Sequence, residues 1–417
     1  MSAFNALRSS KFISWKPTGR LQKTLAGCVE RRGKGLHSGE VSTVRLCPGF
    51  AGEGRSFYFR SNSIPASVDF AQVSPLCTTL SKSGFRIRTV EHLLSALEAS
   101  GVDNCRIEVE NLDGEGDDVE IPIFDGSARE WVESVEEVGL KEATDREGKS
   151  CEKIAPHVNE PVYVWRNDSF VAAFPSEVVQ ITYGISFPQA PAIGCQWFST
   201  NPLDNLVYSM QIALSRTFCI YEEMLCCTGM LCWPPNSHRS MHDIATSPPP
   251  DHNPHADTNG ALTAERLTIV QLQTSITRAM KETGVLGHGD SIRPLLLQKP
   301  SDCDPHIVVE QMRKAGLIKG GSLENAIVCS TSKGWLNPPL HFSDEPCRHK
   351  VLDLIGDLSL SAQFGNQGLP VAHIVAYKAW SSGLLLFPTL CILIISLTIM
   401  GGHALHADLA RRLMGMI

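Results

Sequence analysis

Hydrophobic and polar residues alternate along Ser42-Thr43-Val44-Arg45-Leu46 and again along Cys105-Arg106-Ile107-Glu108-Val109, the period of strands that turn one face to a core and the other to water. Between them, residues 91–99 carry apolar side chains at helical spacing and predict one clear helix. Residues 21–145 therefore read as a first α+β domain. Residues 146–157 are polar and aperiodic, and read as a linker. Over residues 158–417 the theme repeats: a strand-like start from 162 to 185, a helical stretch around 207–214, a helix following His349, and Leu405, Leu409 and Leu413 at four-residue spacing on a final helix. Two similarly built α+β domains are expected.

Two segments break this pattern. Residues 224–308 are rich in Pro, His, Cys and Ser, with little periodicity, a composition that buries too little apolar surface to fold easily. Removing them joins Ile220-Tyr221-Glu222-Glu223 to Val309-Glu310-Gln311-Met312-Arg313-Lys314-Ala315-Gly316, which reads as one amphipathic helix with Glu310 four residues before Lys314 and Gly316 as its stop. Residues 380–401 include Leu384-Leu385-Leu386-Phe387 and Ile392-Leu393-Ile394-Ile395. A run of this kind reads as a membrane span or tail anchor if residues 383–400 belong to the working protein. Both segments are expected to be insertions, translated intron or a wrongly chosen exon. Within the first, Cys226, Cys232, His238 and His242 are too closely spaced for a zinc finger.

Composition narrows the classes. At 43% hydrophobic and 19% charged, the chain of 417 residues can bury two sizeable cores. A formal net charge of -7 argues against a nucleic-acid binder, although a local basic patch could hold a diphosphate. The fourteen cysteines show no repeating framework and read as reduced. Residues 1–20 contain Arg8, Lys11, Lys16 and Arg20 with several serines and no acid, which predicts an organelle transit peptide, the mitochondrion ahead of the chloroplast or cytoplasm, or a disordered basic tail.

The candidate chemistry lies in two distant stretches. His349 and Asp353 are four residues apart, so one helix can offer both on one face. His92 can add a third ligand, while its neighbour Glu91 projects elsewhere and can reach a metal-bound water. Two histidines and a carboxylate leave a tetrahedral Zn²⁺ one open position, as in catalytic sites. Spacing alone also fits a polar surface pair and an ordinary i,i+4 contact.

Around these stretches the chain resembles the UDP-3-O-acyl-N-acetylglucosamine deacetylases, the zinc amidases of lipid A biosynthesis, of the plant mitochondrial type. The resemblance is carried by Gly33-Lys34-Gly35-Leu36-His37-Ser38-Gly39, Leu76-Cys77-Thr78-Thr79-Leu80, Thr89-Val90-Glu91-His92-Leu93 and Glu120-Ile121-Pro122-Ile123-Phe124-Asp125-Gly126-Ser127. Further on come Ser215-Arg216-Thr217-Phe218, Gly316-Leu317-Ile318-Lys319-Gly320-Gly321-Ser322, Arg348-His349-Lys350, Gly356-Asp357-Leu358 and Gly402-His403-Ala404-Leu405, all in the family's order.

The resemblance implies a β-α-α-β sandwich, each domain a sheet with paired helices, and an active site between domains. It implies Zn²⁺ on His92, His349 and Asp353, with Glu91 as general base. Thr217 would stabilise the oxyanion, and His403, oriented by Asp357, would act as general acid. Lys350 and His37 would meet the UDP group of the substrate, UDP-3-O-acyl-N-acetylglucosamine, and the products would be acetate and UDP-3-O-acyl-glucosamine. Leu317, Ile318, Ala326 and Val328 read equally as an acyl passage or as strand core. Asp125 reads as a turn or helix-start residue, because Asp-Gly-Ser suits both. A monomer is expected. The competing reading is a mis-spliced, catalytically impaired zinc-binding homologue, tail-anchored in a membrane.

Overall fold

Two five-stranded sheets of the same topology carry the fold. The computed structural model describes residues 7–72, 76–111, 116–166, 168–220, 310, 313, 318–337, 339–379 and 401–417. The insertion expected at 224–308, the zinc-finger question within it, the joined helix (apart from Ile220, which ends the strand Phe218–Ile220 instead, and Glu310 and Arg313) and the apolar run 383–400 lie outside the described residues. No helix among the described residues is long and apolar enough to cross a membrane.

The first sheet runs in the order Val29–Lys34, Val41–Pro48, Cys105–Asn111, Arg55–Phe59, Asn62–Pro65. The two strands foreseen from alternation are neighbours in it, antiparallel, with Ile107 opposite Leu46. Their period sends Val44, Leu46, Ile107 and Val109 into the core and Arg45 and Arg106 outward. The second sheet runs Val162–Arg166, Ser169–Pro175, Ala372–Ala379, Gln180–Phe187, Gly194–Thr200. In both sheets the central strand is antiparallel to the second and parallel to the fourth. A parallel neighbour requires a crossover connection, and in each half that connection contains a helix.

In the first half this helix is α1, Glu91–Ala99, and α2, Arg129–Val138, follows the central strand. In the second half, after the short α3 (Asn205–Gln211), the crossover helix is α4, Glu345–Leu358, and α5, Gly401–Leu413, follows the central strand. The α3 start is set by Asp204, whose carboxylate accepts from the Leu206 amide at 3.0 Å and the Val207 amide at 3.2 Å. α2 lies beside Val29–Lys34, α5 beside Val162–Arg166, and α4 beside Gln180–Phe187. α1 packs on α4, the helix-on-helix contact that a β-α-α-β layering requires. The α+β class is as expected.

The helix expected at 91–99 forms, and it is buried on all sides: every residue from Glu91 to Ala99 is buried. Its polar members are thereby committed to internal partners. The approach of α4 is close enough to demand glycine, since a Cβ on Gly356 would stand 2.1 Å from the Glu91 carbonyl oxygen.

Three expectations need correction. Residues 13–20, within the segment read as leader or tail, belong to the strand Ile13–Leu21, and half of the expected linker, residues 152–157, belongs to the strand Glu152–Val158. These two pair antiparallel. Neither has a clear period of its own, and only the meeting of distant segments defines them. The cysteines are not all reduced: Cys28 and Cys47 form a disulfide, because the register pairing Val29 with Leu46 sets them side by side.

Substituting Gly356→Ala forces α1 and α4 apart, and overpacking of this kind costs about 1–3 kcal/mol. A melting midpoint several degrees lower is expected, measured by calorimetry on the metal-free protein; an unchanged midpoint would show slack at the crossing.

Candidate metal centre

The chain enters the site through a sharp strand-to-helix turn. Phe85–Arg88 is a strand, α1 begins at Glu91, and Thr89 between them has φ +60°. A left-handed backbone at a β-branched residue costs about 1–2 kcal/mol and needs support from its surroundings. The turn places Glu91 and His92 in the first turn of α1, where it faces α4.

His349 and Asp353 answer from α4, one turn apart as their spacing foresees. His349 Nε2 is 3.4 Å and His92 Nε2 3.7 Å from Asp353 Oδ1, and candidate ligand atoms of the three residues all lie within 4.8 Å of one another. The imidazole planes meet nearly edge to face, with centroids 5.0 Å apart. His349 Nδ1 lies 2.9 Å from the Ser215 carbonyl oxygen. That oxygen can only accept, so Nδ1 carries the proton and the Nε2 lone pair faces Asp353. His92 Nδ1 is buried without a hydrogen-bond partner among the described residues.

Electrostatics put these groups in the ligating state. Burial, reinforced by the neighbouring His349, lowers His92 to about 3, and burial likewise lowers His349, so both rings are neutral. Burial opposes charge on Asp353, yet Lys350 and the surrounding imidazoles outweigh it and hold the carboxyl well below the usual range. Two neutral imidazoles and a carboxylate suit a divalent cation such as Zn²⁺, and with three protein ligands the geometry is that of an open site.

Glu91 behaves differently. Its carboxylate accepts from the Thr78 amide at 3.0 Å, and burial drives its pKa well above the carboxylate range despite the nearby His403 charge, with Cys77, Asp357 and Asp353 adding to the rise. A carboxyl of raised affinity for protons is suited to general-base work near neutral pH.

Asp357, one turn beyond Asp353 on α4, organises a second cluster. Its Oδ2 lies 2.8 Å from His403 Nδ1 and 2.8 Å from His406 Nδ1, both on α5, and its Oδ1 accepts from the Thr78 hydroxyl. Burial resists ionisation of Asp357, but His403 and these hydrogen bonds lower it to about 2. His403 in turn, against burial, is raised to about 10 by Asp357, with Asp353 and Glu91 adding to it. Its Nε2 lies 4.0 Å from Asp353 Oδ2. His406 is lowered by burial and stays neutral.

Thr78 and His406 are the residues that the sequence reading missed. Thr78 joins Glu91 to Asp357, one through its amide and the other through its hydroxyl. The only signal was its place in the Leu76 to Leu80 segment. His406 follows His403 at a spacing of three on a helix, which was legible but lacked a reason until Asp357 faced both.

The remaining candidates are less tightly gathered. Thr217 is fixed by its backbone, its amide donating to the Gly126 carbonyl at 2.8 Å, two residues beyond the Ser215 carbonyl that orients His349. His37 lies in a turn whose backbone meets Lys319 and Gly320, so two distant motifs are adjacent. Lys350 turns toward the centre: its ammonium donates to Asp353 Oδ2 at 2.8 Å and lies over the Phe218 ring. Asp125 takes the Ser127 amide at 3.0 Å and the Ser127 hydroxyl at 2.6 Å just before α2, a turn role as read. Val328 is buried, Ala326 and Ile318 are half-buried, and Leu317 lies outside the described residues.

Comparison with known proteins gives concordant matches. The family pattern of UDP-3-O-acyl N-acetylglycosamine deacetylase matches residues 22–230 and 306–381. The Arabidopsis thaliana protein named "Probable UDP-3-O-acyl-N-acetylglucosamine deacetylase 1, mitochondrial" is 48% identical over 410 residues, covering 98% of this chain and 93% of that protein. UDP-3-O-acyl-N-acetylglucosamine deacetylase of Trichormus variabilis is 34% identical over 401 residues, 95% of this chain and 99% of its own length. The protein of the same name from Thermosynechococcus vestitus is 32% identical over 362 residues, 86% and 89% of the two chains.

The His403–Asp357 pair sets a pH dependence for the metal-free protein. His403 has a folded pKa of about 10 against an ordinary 6.5, so its contribution to stability is complete below pH 6.5 and is lost as pH rises through 10. Asp357, at about 2 against 3.8, contributes above 3.8 and loses that contribution as pH falls through 2. Melting in the presence of a chelator should show stability declining between pH 6.5 and 10, and Asp357→Asn should flatten that slope. An identical slope in the variant would mean that the pair does not govern it.

Proposed function

We propose that this chain, which belongs to the UDP-3-O-acyl N-acetylglycosamine deacetylase family, hydrolyses the 2-acetamido group of UDP-3-O-acyl-N-acetylglucosamine with the aid of Zn²⁺, as in lipid A biosynthesis. The observation that carries this reading is the convergence of His92, His349 and Asp353 with a proton-avid Glu91 on one side and a charged His403 on the other. Base, ligands and acid meet in one buried place.

Bound by His92, His349 and Asp353, zinc would supply a Lewis acid and make water acidic enough to ionise near neutral pH. Glu91 takes the proton of the attacking water, held for that purpose by the Thr78 amide. Oxygen adds to the acetamide carbon, and the Thr217 hydroxyl serves the developing oxyanion. Charged His403 donates its Nδ1–H to Asp357 and carries a second proton on Nε2, which it delivers to the sugar nitrogen as the carbon–nitrogen bond breaks. Acetate and the free amino sugar result. Lys350 and His37 flank the path of the UDP group, and Lys350 would exchange its contact with Asp353 for a phosphate or sugar oxygen.

The mitochondrion is the proposed location, supported by the name of the Arabidopsis relative, and a monomer the proposed working unit. Residues 224–308 and 380–401 are proposed as insertions into the catalytic fold; in support, the family match is interrupted between 230 and 306 and stops at 381.

Acetate release from the UDP-sugar, with zinc content measured in parallel, tests the assignment. Glu91→Gln should keep its zinc and lose about 10²–10⁴-fold in kcat, the usual worth of a general base. Chelation should abolish turnover and zinc addition restore it. The intact chain and one lacking both segments should each be active; zinc without acetate from either would sink the proposal.

A further inference from the structure

Glu120 is a buried carboxylate that the chemistry above leaves unused. It closes the strand Asp118–Glu120, where it stands beside Arg88 in parallel register, and only 3% of it is accessible. Donors from two motif segments converge on it. The His37 amide lies 3.0 Å from Oε1 and 3.2 Å from Oε2, and the Ser38 amide 2.7 Å from Oε2. The Thr89 hydroxyl donates to Oε1 at 2.9 Å, and Arg88 Nη2 is 3.6 Å from Oε2. The site is shaped for this carboxylate, because a Cβ on Gly35 would come within 2.5 Å of Oε2.

The Thr89 contact matters most. Thr89 is the left-handed residue of the strand-to-helix turn, so its hydroxyl is the handle by which that turn is held. One residue later α1 opens with Glu91 and His92. The same carboxylate gathers the amides of the His37 turn, on which Lys319 and Gly320 rest.

We infer that Glu120 is a positioning residue: through Thr89 it fixes the direction in which α1 presents Glu91 and His92, and through the His37 and Ser38 amides it locks the neighbouring turn to the same point. A carboxylate is required because every group facing it is a donor. Glutamine would aim an N–H₂ at one of them. The inference rests on the metal site proposed above, and it assigns the Glu120–Thr89 bond to that site's precision rather than to general stability.

Three variants of the full chain test it: Thr89→Val, which keeps size and branching but loses the hydroxyl, Thr89→Ser, which keeps the hydroxyl, and Glu120→Gln. Zinc affinity is measured by chelator competition, with kcat and KM on the UDP-sugar and the melting midpoint of each protein. Thr89→Val should lose about 10–100-fold in zinc affinity, the range for groups that orient metal ligands, and lose kcat with KM unchanged. Thr89→Ser should restore both. Glu120→Gln should do the same as Thr89→Val and also raise KM, since it frees the His37 turn. A folded Thr89→Val protein with parental zinc affinity and kcat overturns the inference, as does a loss that Thr89→Ser fails to rescue. If Glu120→Gln does not fold, the Thr89 pair still decides. Zinc affinity is read without substrate, so a parent chain that released no acetate would remove the deacetylase reading while this comparison stood.

Discussion

The close crossing of α1 over α4 is the constraint on which the rest depends. Gly356 lies against the Glu91 carbonyl with no room for a side chain, and this proximity lets candidate ligands from two halves of the chain meet. His92 enters from the start of α1, His349 and Asp353 from α4, and Asp357 stands one turn further on. Both are crossover helices of sheets with the same topology. A rigid frame suits a metal centre, whose ligand atoms have to be held within tenths of an ångström.

Four carboxyl groups in this region, all buried, are driven to different ends by their neighbours. Glu91 has few compensating partners and moves up. Asp353, among Lys350 and three imidazoles, moves far down. Asp357 faces His403, His406 and Thr78 and moves down, as does Glu120, where the His37 charge and amide donors overcome burial. The same chemical group is thus proton-avid at Glu91 and ionised at Asp353, Asp357 and Glu120. Residue type offers a carboxyl, and environment chooses its role.

The match to the family spans both halves of the described fold, and the relatives are covered over most of their own length. Its motifs are not dispersed features. The Gly33 to Gly39 turn sits on Lys319 and Gly320, the Leu76 to Leu80 segment reaches Glu91 and Asp357 through Thr78, and Ser215 holds His349. Segments far apart in sequence occur together because each fixes another.

How much of this could be read beforehand follows from the range of each interaction. The strands around Val44 and Ile107, the helix at residues 91–99, the i,i+4 pair His349 and Asp353, and the leucines of α5 rest on local period, which is legible without any partner from elsewhere in the chain. The candidate site residues were nameable because the motif order carried a family resemblance, not because spacing alone required a metal. The pairing of Ile13–Leu21 with Glu152–Val158, the Cys28–Cys47 disulfide, the double hold of Asp357 on His403 and His406, and the turn of Lys350 toward Asp353 were decided only by tertiary structure. Each joins groups distant along the chain or chooses one partner among several, and that choice is made by packing and burial, which no local period encodes.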